Sequence, residues 1–119
     1  MMFPTYGPPP LPHAFYGQAT DADGVPVDGF VCAMGKGTKP LDEKRGDNPI
    51  AVVNGRWGAR LFYLPKLVVQ TAPGGAPVED GTRLYFYVNG ELAQIETPEG
   101  LAWWLPYESG ELTEIRLRI

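Results

Sequence analysis

The sequence predicts an all-β protein, an antiparallel sandwich or small barrel of about seven to eight short strands. Two Asn-Gly pairs, Asn54-Gly55 and Asn89-Gly90, each follow a run of β-branched or aromatic residues. This dipeptide accepts the two positive φ angles of the type I′ turn that joins antiparallel strands. The 15 glycines and 13 prolines are spread along the chain, a pattern that favours frequent turns over helices.

The chain divides into a Pro-rich arm, residues 1–12, and one domain, residues 13–119. A chain of 119 residues can build a hydrophobic core without covalent staples. Five of the first twelve residues are prolines, so the arm cannot be a central strand, and polyproline II is expected there. The arm is either a segment that binds a partner or a neighbouring subunit, or a stiff lead-in to the first strand. Its candidate contact residues are the apolar Phe3, Tyr6 and Leu11.

The domain is expected to open with a hairpin. Its strands are predicted over residues 13–20 and 27–34, and the turn between them has Asp23-Gly24 at its centre. The pair Asp28-Gly29 interrupts the second strand, which favours a bulge or kink at that point.

The middle of the domain combines a polar loop with apolar runs. Residues 35–48 hold four cations and three acids without periodicity, a composition typical of a solvated loop. Pro65 separates two of the later runs. The strands and apolar runs that follow the loop span residues 49–53, 56–57, 59–64 and 66–70.

The last third begins with a Gly/Pro-rich loop over residues 71–81 and continues with the Asn89-Gly90 hairpin. The remaining strands are expected over residues 82–88, 91–96, 101–105 and 113–119.

The final strand alternates cleanly between apolar and charged residues. Ile115, Leu117 and Ile119 share one side, which predicts that this side meets a core and the other side meets water. If the strand lies at a sheet edge, its unpaired backbone groups can accept another strand. Strand addition by the Pro-rich arm is therefore a hypothesis for this edge.

Two segments at the ends of the domain resemble a known family. The opening segment resembles the start of the Ig-like, carboxypeptidase-regulatory-like β-sandwich domains of prokaryotic surface proteins, through Leu11-Pro-His-Ala-Phe-Tyr-Gly17, Gly24-Val-Pro26 and Asp28-Gly29. The later Phe86-Tyr-Val-Asn-Gly90 and the closing alternating strand resemble the final half of the same family. The resemblance covers nearly all of residues 11–119 and diverges over residues 36–48 and 60–66. It implies an Ig-like sandwich that serves as a non-catalytic spacer, adhesive or structural module.

The inventory of reactive side chains argues against an enzyme. The chain has one histidine, His13, one cysteine, Cys32, and one serine, Ser109. His13 and Cys32 lie on consecutive predicted strands, so a nucleophilic Cys–His pair is conceivable. Cys32 lies in an apolar run, however, where a small buried hydrophobe is the simpler interpretation. Ser109 lacks a second histidine for a triad, and no cofactor motif is present.

Asp21 and Asp23 are weak candidates for a metal site. Their spacing imitates the start of a calcium loop, in which oxygens at alternate positions bind a hard cation. The next alternate position is Val25, however, and no bidentate glutamate follows at the required distance. The alternative is a hairpin turn that uses Asp-Gly chemistry, so no metal is expected.

Charge and hydropathy restrict the partners and the compartment. The net charge is −4, and without a basic patch nucleic acid is not an expected partner. No apolar run has the length of a membrane span, and the first residues lack the features of a signal peptide. The chain is therefore expected either to stay in the cytoplasm until assembly or to be part of a larger exported protein.

Four aromatic residues are the best candidates for a functional surface. Tyr85 and Tyr87 face away from the apolar side of their strand, and the consecutive Trp103 and Trp104 must point to opposite sides if they lie on a strand. Three interpretations remain open: a protein interface, a second core covered by loops and the arm, and a platform for sugar rings.

These observations predict a structural, self-assembling protein. The expected setting is the surface of a virion or filament, such as a phage capsid decoration or a tail-associated subunit, with contacts through the arm and the exposed aromatics. The alternative is an adhesion or carbohydrate-binding module of a larger exported cell-surface protein.

Overall fold

A computed structural model describes residues 11–39, 41, 48–61 and 64–119. This part of the chain is all-β and contains no helix, as the sequence predicts. Its eleven strands are β1 (His13–Thr20), β2 (Gly29–Met34), β3 (Ile50–Val53), β4 (Arg56–Trp57), β5 (Leu67–Val69), β6 (Arg83–Val88), β7 (Glu91–Leu92), β8 (Gln94–Thr97), β9 (Gly100–Ala102), β10 (Leu105–Pro106) and β11 (Leu112–Arg118).

The strands form a sheet in the order β10-β6-β2-β3-β4-β1-β11-β8-β9, with β5 paired to β1 and β7 paired to β6. All pairs are antiparallel except β1 and β11, which run parallel over seven residue pairs. The expectation of a purely antiparallel protein is therefore wrong at this pair. Parallel strands cannot be joined by a tight turn, and these two are the first and last strands of the chain, so no turn joins them.

The sheet is open but strongly curled. Strands β9 and β10 lie at opposite ends of the strand order, yet only Trp103 and Trp104 separate them in the chain. The three peptide units from Ala102 to Leu105 span at most about 11 Å, so the two ends of the sheet must come close together. The curl brings Phe15 of β1 against Phe86 of β6, with 4.9 Å between the ring centroids.

The core lies between two parts of this curled sheet. We call them the β6 half, which comprises β10, β6, β7, β2 and β3, and the β1 half, which comprises β5, β1, β11, β8 and β9; β4 connects them. Alternation along the strands decides which side chains point inward, because successive residues face opposite sides. The predicted core residues of the hairpin strand and the last strand are buried, namely Leu84, Phe86, Val88, Ile115 and Leu117.

Both Asn-Gly turns are confirmed. Asn54 and Gly55 have φ angles of 49° and 76°, and Asn89 and Gly90 have 50° and 82°, as a type I′ turn requires. The predicted kink at Asp28-Gly29 lies at the start of β2, so that strand begins two residues later than expected.

The last strand, β11, is not an edge. It pairs with β1 along its whole length on one side and with β8 over Arg116–Arg118 on the other, so both sides of its C-terminal half are paired within the sheet. The expectation of a free edge along the whole strand, on which the strand-addition hypothesis rests, is therefore wrong for residues 116–118. The strands at the two ends of the sheet order are β9 and β10.

Candidate interaction surface

The outward side of the β6 half carries a continuous row of apolar and aromatic residues. Cross-strand pairing aligns Tyr85 with Met34 and Tyr87 with Cys32. Directly opposite residues share a face of the sheet, and the buried neighbours of these residues face inward. We define the outer face as the outward residues of this half: Phe30, Cys32, Met34, Ala51, Tyr85, Tyr87, Leu92 and Trp104.

Several of these side chains are open to solvent. Phe30 is 58% exposed and Met34 is 44% exposed, whereas Tyr85, Tyr87 and Cys32 are half-buried. Val31 and Ala33, which alternate with the outward residues of β2, are fully buried. The strand is thus apolar on both sides, although only one side contributes to the core.

Trp104 extends the outer face beyond β6. Leu105 of β10 pairs with Leu84 of β6, and this register places Trp104 in the same row as Tyr85. The guanidinium carbon of Arg83 lies 4.6 Å from the centroid of the Trp104 ring, a cation–π contact that orients the indole. Trp104 remains 37% exposed.

Trp103 lies in the short link between β9 and β10 and is 50% exposed. Neither tryptophan side chain is buried, and the prediction that the two point to opposite sides applies only if they lie on a strand. The link itself, and no regular strand, carries both residues.

Two depressions mark the outer face. One is a groove of about 530 Å³ whose lining includes Met34, Lys36, Arg83, Tyr85 and Tyr87. The other has about 450 Å³ and is lined by apolar residues that include Phe30, Ala51, Leu64 and Pro65. The cationic Lys36 and Arg83 at the first groove have the opposite sign to the net charge of −4. The outer face therefore combines apolar surface with a positive rim.

His13 has a structural role in the opposite half of the sheet. The backbone N–H of Glu108 donates to Nδ1 at 3.0 Å, so that nitrogen carries no proton, and Nε2–H donates to Thr113 Oγ1 at 2.7 Å. The ring is 2% exposed and stacks on Phe15. Burial lowers the pKa of His13 to about 4, against a smaller opposing effect of Asp80.

The structure does not place His13 and Cys32 on neighbouring strands. Strands β3 and β4 lie between β1 and β2 in the sheet order, and Cys32 faces outward opposite Tyr87. Burial raises the pKa of the Cys32 thiol, which disfavours the nucleophilic thiolate. These positions overturn the idea that consecutive strands make the two residues neighbours.

Asp21 organises the first turn. Its Oδ1 accepts the backbone N–H groups of Asp23 and Val25, each at 2.9 Å, which is the Asx-turn chemistry of the alternative interpretation. Among the described residues, no group of three or more His, Cys, Asp or Glu side chains could hold a metal ion.

Leu11 is the one arm candidate within the described residues; Phe3 and Tyr6 lie outside them. Its side chain is exposed, but its carbonyl accepts hydrogen bonds from the Tyr107 hydroxyl and from Ser109 Oγ. The start of the domain is thereby attached to the turn that follows β10.

Sequence reasoning missed Phe30 and Met34 as members of the outer face, and Arg83 as the cation beside it. Alternation from Tyr85 could have placed Arg83 on the same side, since the two residues are two positions apart. For β2 no such signal exists, because the run from Phe30 to Met34 is apolar at every position.

In comparisons with known proteins, no family model matches this chain, and no similar curated protein or solved structure was found. Within the described part of the chain, no helix has the length and apolar character needed to cross a membrane.

Proposed function

We propose that this protein is a non-catalytic structural module that associates with further copies of itself through the outer face. Assemblies of this kind form the surfaces of virions and filaments. The observation that carries the proposal is the continuous outward row of aromatic and apolar side chains that runs from Trp104 across β6 and β2. A contiguous apolar patch of this type on a folded domain commonly marks a contact site.

The composition of the outer face supports a protein partner. Interface cores are enriched in aromatic residues, methionine and arginine and are depleted in lysine and acidic residues. The outer face presents two tyrosines, a tryptophan, a phenylalanine and a methionine, and Arg83 packs on Trp104. Tyrosine and tryptophan bring large contact area at a low cost in side-chain entropy.

Charge supports a second copy of the chain as that partner. The chain as a whole is acidic, with 14 Asp and Glu against 10 Lys and Arg. The rim of the groove is cationic, through Lys36 and Arg83. Opposite charges across an interface steer association and fix its register, and the acidic remainder of another copy supplies the complementary sign.

Sedimentation velocity tests this proposal over micromolar to millimolar concentrations. We expect the wild-type chain to form dimers or larger species as concentration rises. The double variant Tyr85→Ser/Tyr87→Ser is expected to stay monomeric, because it removes two aromatic anchors from the outer face. The matched control, Leu101→Ser/Leu112→Ser, changes two exposed leucines of the β1 half and is expected to associate like the wild type.

Circular dichroism would establish that both variants are folded. A wild-type chain that remains monomeric at millimolar concentration would contradict self-association. Equal association by the wild type and the Tyr85→Ser/Tyr87→Ser variant would show that another surface is used.

Carbohydrate binding is a second candidate, favoured by one observation. The groove combines two tyrosine side chains with polar neighbours, Lys36, Thr82 and Arg83, and sugar recognition uses aromatic faces together with hydrogen-bonding groups. Trp104 next to Arg83 offers an intrinsic fluorescence signal at this site. Titration with oligosaccharides would support this function if it changes the emission in the wild type but not in Tyr85→Ser/Tyr87→Ser.

A further inference from the structure

We propose that residues 1–10 of the Pro-rich arm of one copy bind in the groove of a neighbouring copy. The groove is the depression lined by Met34, Lys36, Arg83, Tyr85 and Tyr87. This inference rests on the proposed function, in which the outer face is the self-association surface, and it names the segment that occupies this face.

The backbone chemistry of the arm suits a sheet face. The backbone groups of β6 and β2 are used in pairing within the sheet, so the outer face offers mainly side chains to a bound peptide. An ordinary peptide laid on such a surface loses water from its N–H groups without gaining partners. Four of the first ten residues are prolines and lack this donor, and none of the ten has a charged side chain. Burial of the arm is therefore less costly than burial of an average segment.

The groove has the composition that recognises polyproline II. Pro-rich segments bind grooves lined by aromatic residues because the extended conformation is preformed and little entropy is lost. Tyr85 and Tyr87 provide such a lining, with Trp104 next to Arg83. The half-buried tyrosines also bring hydroxyl groups that can donate to the carbonyls of the arm. Phe3 and Tyr6 supply apolar anchors for the depressions of the outer face.

Contacts through Tyr107 connect Leu11, the residue that follows residues 1–10, with one residue of the groove lining. Leu11 is held through its carbonyl by Tyr107, and the backbone N–H of Tyr107 donates to the carbonyl of Thr82 at 2.8 Å. Thr82 is itself a lining residue of the groove. Ten residues in polyproline II span about 31 Å, which is long enough to reach beyond the edge of the parent domain.

Geometry favours the groove of a neighbour over the arm's own groove. The arm enters β1, whereas the groove lies on the far side of the β6 half, with the core between the two halves. To reach its own groove, the arm would have to reverse direction around the end of the sheet. The segment next to the domain, residues 8–12, contains four prolines, and Pro-rich segments behave as semi-rigid spacers that resist such a reversal. Exchange of an arm between identical copies is a low-cost route to assembly.

Photo-crosslinking of the full-length chain tests this inference. The variant Tyr6→p-benzoyl-L-phenylalanine keeps an aromatic side chain at the position that we expect to bind. A mixture of unlabelled and ¹⁵N-labelled protein is irradiated, digested and analysed by mass spectrometry. We expect crosslinks from position 6 to the β2 and β6 peptides, with Met34, Tyr85 or Tyr87 as the sites, and pairs that join a light and a heavy peptide. The control places the same crosslinker at Leu101, which lies in the β1 half.

Three outcomes would overturn the inference. Crosslinks to the groove that join only peptides of the same isotope would show that the arm binds its own domain. Crosslinks that reach other surfaces would assign the groove to a different occupant. A yield at position 6 no higher than at position 101 would show that the arm is not bound.

A second measurement separates this inference from the proposed function. The full-length variant Phe3→Ser/Tyr6→Ser is expected to weaken self-association in sedimentation by at least about tenfold, which corresponds to the loss of one good anchor. A synthetic peptide of residues 1–12 is expected to inhibit association of the wild type. If the wild type associates through the outer face but neither change has an effect, the arm inference is wrong and the proposed function stands. If the wild type does not associate at all, the proposed function fails first.

Discussion

Two asparagines complete the backbone hydrogen bonding of β2, one at each end. Asn89 Oδ1 accepts from the N–H of Phe30 at 2.9 Å, and its Nδ2 donates to the carbonyl of Asp28 at 2.8 Å. Asn48 forms the same pair of bonds with the backbone of Ala33, at 3.1 and 3.0 Å. An asparagine side chain can do this because it carries both a donor and an acceptor, like a peptide group. The hairpin residue Asn89 therefore both forms a turn and attaches that turn to β2.

Gly29 is predicted to be essential for this arrangement. Its φ angle is 133°, and an added Cβ would lie 1.8 Å from Oδ1 of Asn89. We expect Gly29→Ala to lower the free energy of unfolding by about 3 kcal/mol or more, since it combines backbone strain with a clash. The control Gly74→Ala has a positive φ but open space around the added Cβ, and should cost about 1 kcal/mol.

Urea denaturation measures both losses. The double variant Gly29→Ala/Asn89→Gly removes the clash and should recover part of the stability. Equal losses in Gly29→Ala and Gly74→Ala would contradict the prediction, because they would mean that the Asn89 side chain moves aside at no cost.

His13 makes stability depend on pH. Its pKa is lowered from 6.5 to about 4 in the folded protein, so the unfolded chain takes up the proton first as the pH falls. Stability is therefore fully present above pH 6.5 and decreases between pH 6.5 and 4, by about 3 kcal/mol from this group. The variant His13→Gln has no titrating ring, so its loss of stability between pH 7 and 4 should be smaller by that amount. Denaturant titrations at the two pH values give the comparison, and equal losses in both proteins would contradict it.

Two predicted strands are each divided in the structure, and the two parts pair with different strands. The strand expected over residues 91–96 changes partner at Ala93: β7 pairs with β6, and β8 pairs with β11. The strand expected over residues 101–105 divides at the two tryptophans into β9 and β10. Neither segment contains a glycine or proline at the division, so local sequence carries no signal for the change. These two divisions account for two of the three or four strands by which the eleven observed strands exceed the expected seven to eight.

Local signals predicted the elements well, because they depend on short-range physics. The Asn-Gly turns follow from the φ preferences of two residues, and the inward direction of Leu84, Phe86 and Val88 follows from a period of two. The parallel pairing of β1 with β11 has no such signal, since the two strands are almost a full chain length apart. Gly17 is the residue that permits this pairing at close range: an added Cβ would lie 1.8 Å from the carbonyl oxygen of Ile115.

The sequence predicts the part of the outer face on β6, where the two faces of the strand carry different kinds of residue. It does not predict the part on β2, where they do not. Tyr85 and Tyr87 stand out because their strand neighbours are aliphatic or Phe86. Phe30 and Met34 do not, because β2 is apolar at inward and outward positions alike. Only the sheet order, which brings β2 next to β6, joins these residues into one surface.

Two features keep the sheet curled and bring its ends together: the two-residue link between β9 and β10, and the packed interior, where Phe86 is fully buried against Phe15. The two features contribute differently to the free energy of unfolding. The entropic cost of closing a loop changes by only about 0.6 kcal/mol when the loop doubles in length, whereas replacing a buried phenylalanine by alanine costs about 3–5 kcal/mol. We therefore expect the core to contribute more than the short link to keeping the sheet curled.

We accordingly expect an insertion of two glycines between Trp103 and Trp104 to lower the free energy of unfolding by less than about 1 kcal/mol. Phe86→Ala should lower it by at least about 3 kcal/mol, because it leaves a cavity between the two halves of the sheet. The midpoints of denaturant unfolding curves, converted with one m value for all three proteins, give both changes in the free energy of unfolding. If the insertion costs as much as Phe86→Ala, the short link holds the curl, and the two exposed tryptophans have a structural role in closing the sheet in addition to their place near the outer face.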